Sequence, residues 1–193
     1  MQTFLPYPDF EESAETLRGD TPRLGKQRVE NLQLISAIMK GGGLHGGWSK
    51  HPASRMWVDY PEALMLYQHA ICKVWASKGF KDTCLEKSRA FFTEEELAKV
   101  DSGDVEMPPW LGDEAFHFAH RSSLVFKAPE IYSMVFDDVD VRKGPVPYIW
   151  PGKSLEEASA AQKAAELALE ESNAETSVVD GKKVTEEPAF MPS

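Results

Sequence analysis

WSKHPASRMWVDYPEALMLYQHAICKVWASKG, residues 48–79, is the stretch whose reading decides the fold. Its second half is a well-punctuated helix. Asp59-Tyr60-Pro61 opens it, with proline at a first-turn position where a missing N–H costs nothing, and Gly79 closes it. Ala63, Leu66, Tyr67, Ala70, Ile71, Val74 and Trp75 recur at helical spacing and give it a buried stripe. The first half places Trp48, Lys50, His51, Arg55 and Trp57 within ten residues. Cations mixed with flat rings suit a surface that meets phosphate and a base, whereas the plainer alternative is a loop whose tryptophans plug the core.

Working outward, Thr21-Pro22 starts a helix that runs to Lys40, before the glycines at 41–43, and Val29, Leu32, Ile35, Ile38 and Met39 fall on its apolar side. The ten residues at the front, MQTFLPYPDF, read as an extended arm anchored by Phe4, Leu5, Tyr7 and Phe10. GGGLHGG at 41–47 lacks the GKS or GKT ending of a phosphate loop and reads as a flexible connector. Residues 81–112 read as irregular except for 93–100, which Thr93 and Glu96 open as a capping box. A third main helix is predicted from Asp113 to Lys127, limited by Pro129. GPVPYIWPG at 144–152 lacks the ladder donors of a central strand. The fold class is therefore all-α: a compact three-helix domain with long loops over residues 1–153, then an acidic helical and disordered tail over 154–193.

The chain has 193 residues, 42% of them hydrophobic, enough for one cored domain plus an appendage. No apolar run approaches the roughly 18 residues that span a bilayer, and the N-terminus lacks a signal-peptide layout. A cytoplasmic monomer without membrane contact is the expectation. Cys72 and Cys84 supply neither a disulfide framework nor a four-ligand zinc site. The net charge of −10 argues against a nucleic-acid partner at first sight, but nine acids against three lysines after residue 153 carry most of it, so a locally positive groove stays open.

Two polar clusters could carry chemistry. On the first long helix Arg23, Lys26, Gln27 and Glu30 share one face, as either a reactive stripe or a solvated one, while Arg28 points to the apolar side, either buried and paired or reaching into a cleft. On the third, Asp113, Glu114, His117 and His120 have spacing that could suggest a metal, but no second carboxylate-histidine copy exists, so no metal or other cofactor is expected. His120-Arg121-Ser122-Ser123 reads as an anion-contacting or site-lining run, or equally as plain helix surface.

RLGKQRVENLQLI at 23–35, WSKHPASRMW at 48–57, WASKGF at 75–80 and HRSSLVFK at 120–127, taken in order over residues 1–150, resemble the pyrimidine dimer DNA glycosylases of the phage endonuclease V type. The resemblance implies a compact helical protein that binds duplex DNA at a damaged or modified base and extrudes a base. It implies that an N-terminal α-amine attacks the sugar C1′ to form an imine, that a glutamate on the first helix assists, and that the imine allows strand cleavage as an AP lyase. Gln2 is too bulky for methionine removal, so Met1 takes the nucleophile's place. The family's arginine-glutamate pair falls on Lys26 and Gln27, and an amide is neither a general base nor a counter-charge. Glu30, one turn along, is the substitute. Arg23, Lys26, Arg28, Trp48, Lys50, His51, Arg55, His120 and Arg121 are the expected DNA contacts. The alternatives are a noncatalytic nucleic-acid-binding member of the same fold and, more remotely, a protein-interaction module acting through the acidic tail.

Overall fold

The computed structural model describes residues 2–40 and 47–151, so Met1, the glycine-rich connector at 41–46 and the tail from 152 lie outside the described residues. Within them the chain is helical, with no strand: α1 (Phe10–Thr16), α2 (Thr21–Met39), α3 (Pro52–Trp57), α4 (Pro61–Ser77), α5 (Cys84–Arg89), α6 (Glu94–Ser102), α7 (Glu114–Lys127), α8 (Pro129–Tyr132), and a 3-10 turn at Val141–Lys143. The three longest are those expected from the sequence. Four short ones were not expected: α1, where only an extended arm was read; α3, in the cationic and aromatic stretch before α4; α5, in a segment read as irregular; and α8, where Pro129 was read only as the limit of α7.

Local chemistry sets each boundary. Asp9 caps α1 by accepting from the Glu12 amide at 2.7 Å, and Asp20, one residue before the expected Thr21, caps α2 by accepting from the Arg23 amide at 3.0 Å. Thr93 and Glu96 form the reciprocal capping box of α6, and Gly103 ends that helix at φ +76. Pro129 starts α8 rather than merely stopping α7.

The helix α4 is the hub, packing against α1, α2, α5 and α6. Its buried set adds Leu64, Met65, Gln68 and Cys72 to the expected Ala63, Tyr67, Ala70, Ile71 and Val74, because partners surround it, while Leu66 and Trp75, also expected in the stripe, are half-buried. On α2 the buried residues include Leu24, Leu34, Ile35 and Ile38, while Val29, expected in the core, is 39% exposed. Gly25 lets α2 come close to α4: a Cβ there would sit 2.9 Å from the Trp75 ring. That ring is fixed by its indole N–H on the Lys81 carbonyl at 3.0 Å, by Phe80 at 4.4 Å and by the Arg28 guanidinium at 4.2 Å. This packing accounts for the Trp75-to-Phe80 segment, with Gly79 at φ +84 turning the chain back.

Residues 2–6 belong to no helix and run between α7 on one side and α2, α3 and α4 on the other. Backbone groups buried outside secondary structure need partners, and here side chains supply them. Gln27 of α2 accepts from the Phe4 amide at 3.1 Å and donates to the Gln2 carbonyl at 2.7 Å. Tyr67 of α4 donates to the Phe4 carbonyl. From α7, His120 Nδ1 accepts from the Leu5 amide at 3.2 Å, His117 Nδ1 donates to the Leu5 carbonyl at 2.8 Å, and Arg121 donates to the Pro6 carbonyl at 2.9 Å. Trp57 of α3 adds its indole N–H to the Thr3 hydroxyl at 3.1 Å. Phe4 and Leu5 complete the anchoring with side chains 5% and 0% exposed.

Candidate functional site

The arm and α2 together form the floor of a cleft of about 440 Å³, lined by Gln2, Phe4, Arg23, Lys26, Gln27, Glu30, Lys127 and Tyr148 among others. The helical offsets that put Arg23, Lys26, Gln27 and Glu30 on one face are what bring them here. They do not share a role. Gln27 is 1% exposed, and besides its two bonds to the arm it donates to Asn31 Oδ1 at 2.8 Å. Its amide uses both an acceptor and a donor, a combination an ionised carboxylate lacks. Glu30 lies one turn further along, its carboxylate accepting from the Gln2 amide at 3.2 Å and facing Lys26 Nζ at 3.6 Å. Of the two carboxylates in the lining, Asp20 is paired with Arg23 and Glu30 stands against the backbone of the second residue of the chain.

Cations and rings border this point. Arg23 pairs with Asp20 at 2.8 Å and lies 5.3 Å over the Phe4 ring; the side chain of Lys26 is 74% exposed. Lys127, at the end of α7, is exposed and lines the same cleft. His51 caps α3 by accepting from the Ala53 amide at 3.1 Å. Burial lowers its pKa, while the Glu30 charge acts in the opposite direction, so the α3 and α2 groups sense one another. A wall of rings runs inward from Trp48, 42% exposed, through His51 (5.6 Å), Trp150 (5.7 Å) and Tyr148 (5.6 Å) to His120 (5.6 Å). Lys50 is exposed and Arg55 half-buried on the same segment.

Several expected DNA contacts lie elsewhere. Arg28 is the buried, paired arginine of the two readings: it forms an ion pair with Asp82 and stacks on Trp75, away from the cleft lining. Trp57, not one of those expected contacts, is fully buried and plugs the core, the plainer of the two readings of its stretch. His120 and Arg121 are 1% and 6% exposed, which corrects their reading as anion-contacting residues. Every member of the 120–123 run instead holds a neighbouring segment. His120 and Arg121 hold the arm, and Arg121 also pairs with Glu114 and with Asp138 at 2.8 Å. Ser122 accepts from the Val146 amide at 2.9 Å. Ser123 bonds the Tyr148 hydroxyl, which seats the 144–150 segment against the cleft.

The two buried histidines are neutral. Because Nδ1 of His120 accepts, its proton is on Nε2, and burial pushes its pKa down to about 3. His117 donates from Nδ1 and accepts at Nε2 from the Gly112 amide at 3.0 Å, with its pKa also lowered by burial. With both His117 nitrogens occupied, the spacing that could have suggested a metal serves the arm, and no group of three His, Cys, Asp or Glu able to hold a metal occurs among the described residues. No helix among them is long and apolar enough to cross a membrane. Cys72 and Cys84 are both buried free thiols.

Sequence reasoning passed over Gln2, Lys127, Tyr148 and Trp150. The aromatic, proline-punctuated run at 144–152 was visible, but nothing in it shows that it folds back beside residue 2. Residues 1–88 match the family model described as pyrimidine dimer DNA glycosylase. Among curated proteins and solved structures nothing matches the chain.

Proposed function

We propose that the protein is a pyrimidine dimer DNA glycosylase with associated AP lyase activity, a DNA repair enzyme, a reading supported by the match of residues 1–88 to the family model of that description. It acts on damaged pyrimidines in duplex DNA through an imine on the α-amine of Met1. The observation that carries this reading is the Glu30 carboxylate set 3.2 Å from the Gln2 amide, one residue from the proposed nucleophile.

A terminal amine titrates near neutrality and is partly unprotonated at working pH. Its lone pair attacks C1′ of the damaged nucleotide, the C1′–N bond breaks, and its electron pair leaves with the base, which takes a proton. Glu30 accepts the proton lost by the amine and returns it to the sugar ring oxygen as the C1′–O4′ bond breaks, which opens the ring to the iminium and restores the carboxylate charge that offsets it. Loss of a C2′ proton then expels the 3′ phosphate by β-elimination, and water releases the enzyme from the imine. Gln27 cannot accept that proton; its part is to hold the arm. Arg23, Lys26 and Lys127 meet the phosphates, and Trp48 and His51 present rings and a dipole to the displaced strand. Substrate of this kind assigns the protein to the compartment that holds the chromosome.

The test is incubation with abasic and ultraviolet-irradiated duplex in borohydride, followed by mass analysis. A reduced adduct on Met1 is expected, and Glu30→Gln, which keeps an acceptor for the Gln2 amide, should slow its formation about 100-fold or more. Salt-sensitive DNA retention without an adduct would refute the catalytic reading in favour of the noncatalytic one, which the amide at residue 27 also fits.

A further inference from the structure

The side chain of Gln2 lines the cleft although the residue is 93% buried, its exposure being 7%. Its Oε1 accepts from the adjacent Thr3 amide at 2.8 Å, a group that can only donate, so the orientation of the carboxamide is fixed. Nε2 therefore points the other way, and it has no hydrogen-bond partner. The Tyr148 hydroxyl is near it, but that oxygen bonds Ser123 and makes no hydrogen bond of ordinary geometry with the amide. A buried donor without an acceptor calls for an explanation, and this one, unlike the unpartnered donors of Asn31, Trp110 and His120, belongs to a residue that lines the cleft, where an entering ligand can supply the acceptor.

Resting on the imine reading above, we propose that Nε2 of Gln2 donates to a carbonyl oxygen of the damaged pyrimidine, making Gln2 the residue through which the cleft recognises a base. The chemistry favours a base over a phosphate. The cations of the cleft, Arg23, Lys26 and Lys127, are already suited to phosphate. A neutral, buried amide donor matches the neutral O2 or O4 of a pyrimidine better than an ionised oxygen. Position agrees with chemistry: the base leaves from C1′, the atom attacked by residue 1, so the residue-2 side chain lies beside the departing ring. Every pyrimidine carries a carbonyl there, whereas an abasic site offers none.

That difference supplies the test. Single-turnover, borohydride-trapped adduct formation is measured on a duplex holding one cyclobutane thymine dimer and on a duplex holding one abasic site. The proteins are the unsubstituted chain, Gln2→Glu and Gln2→Met. Both substitutions are bulky enough to keep Met1. Gln2→Glu also keeps the acceptor for the Thr3 amide while turning the free donor into an acceptor. The ratio of the dimer rate to the abasic rate cancels any effect on folding, on arm placement or on phosphate binding. We expect that ratio to fall about tenfold or more in both variants, the consequence of one buried hydrogen bond. An unchanged ratio, or equal losses on the two duplexes, overturns the inference while leaving the imine reading in place. So does trapping by the unsubstituted protein on the abasic duplex alone. No adduct from the unsubstituted protein on either duplex overturns both.

Discussion

Gln27→Glu restores the carboxylate that the family resemblance assigns to this position, and the structure predicts that it weakens the protein without improving its chemistry. Gln27 is 1% exposed, and its Nε2 donates to the Gln2 carbonyl at 2.7 Å and to Asn31 Oδ1 at 2.8 Å. An ionised carboxylate would set an acceptor against both oxygens, keeping only the bond from the Phe4 amide. Each buried polar group so orphaned costs about 1–3 kcal/mol. The protonated acid resembles the amide, because its single O–H can still donate to the Gln2 carbonyl. Folding therefore favours the protonated form and raises the introduced carboxyl's pKa above its unfolded value of about 4.3. The sign follows. The unfolded variant loses its proton first, so the variant's deficit is smallest below about pH 4.3, widens as pH rises, and levels off above the folded pKa. A rise of about two pKa units makes the deficit at pH 8 exceed that at pH 4 by about 3 kcal/mol. Urea titrations of both proteins at pH 4, 6 and 8 measure it, and borohydride trapping reads the chemistry. A deficit that is flat or shrinks with pH, or an adduct formed faster than by the unsubstituted protein, would refute the assignment of Gln27 as the clamp and Glu30 as the charge.

Gly25→Ala should destabilise the protein by about 1–2 kcal/mol: overpacking against a Trp75 ring 2.9 Å away outweighs the helix-propensity gain of about 1 kcal/mol, and a raised Tm would contradict this. Acidification should erode stability between pH 6.5 and about 3, because the unfolded chain protonates His120 and the native protein does not. The contribution is at most about 1.4 kcal/mol per pH unit, and His120→Asn, which keeps an acceptor for the Leu5 amide, should flatten the slope in denaturation curves across that window. Lys127→Ala should weaken duplex binding alike for all sequences and reduce the slope of log K against log salt by about 1 in a salt titration, and an unaltered slope would remove Lys127 from the phosphate contacts.

The main helices were legible because their signals are local. Thr21-Pro22, Asp59-Tyr60-Pro61, Thr93 with Glu96 and Asp113 each mark a start with residues adjacent in sequence. The opening of α1 has the same kind of signal, Asp9 followed by Glu11 and Glu12, and it was masked by the proline-rich run before it. Glu30 could be picked from the wheel of α2, since its face is set by spacing alone. His120 and Arg121 could not. A polar helix face reads as solvated when the sequence is considered one element at a time, and what covers it here is the backbone of residues more than a hundred positions away. An arm that offers amides and carbonyls needs polar side chains from its neighbours, so the burial of α7's polar face and the irregular path of residues 2–6 are one fact. The same argument explains Arg28: its carboxylate partner, Asp82, is in a loop 54 residues on.

Residues 2–6 are made early in synthesis, yet the groups that seal them arrive late. Gln27 and Tyr67 come first, but the Leu5 amide and carbonyl wait for His120 and His117, at separations of 115 and 112 residues. Contacts so distant in sequence carry a large loop-closure entropy. Until α7 docks, the Leu5 amide and carbonyl lack the partners that their burial requires. The seating of the front of the chain thus depends on a helix made more than a hundred residues later, and a chain cut before α7 would leave Leu5 without its partners.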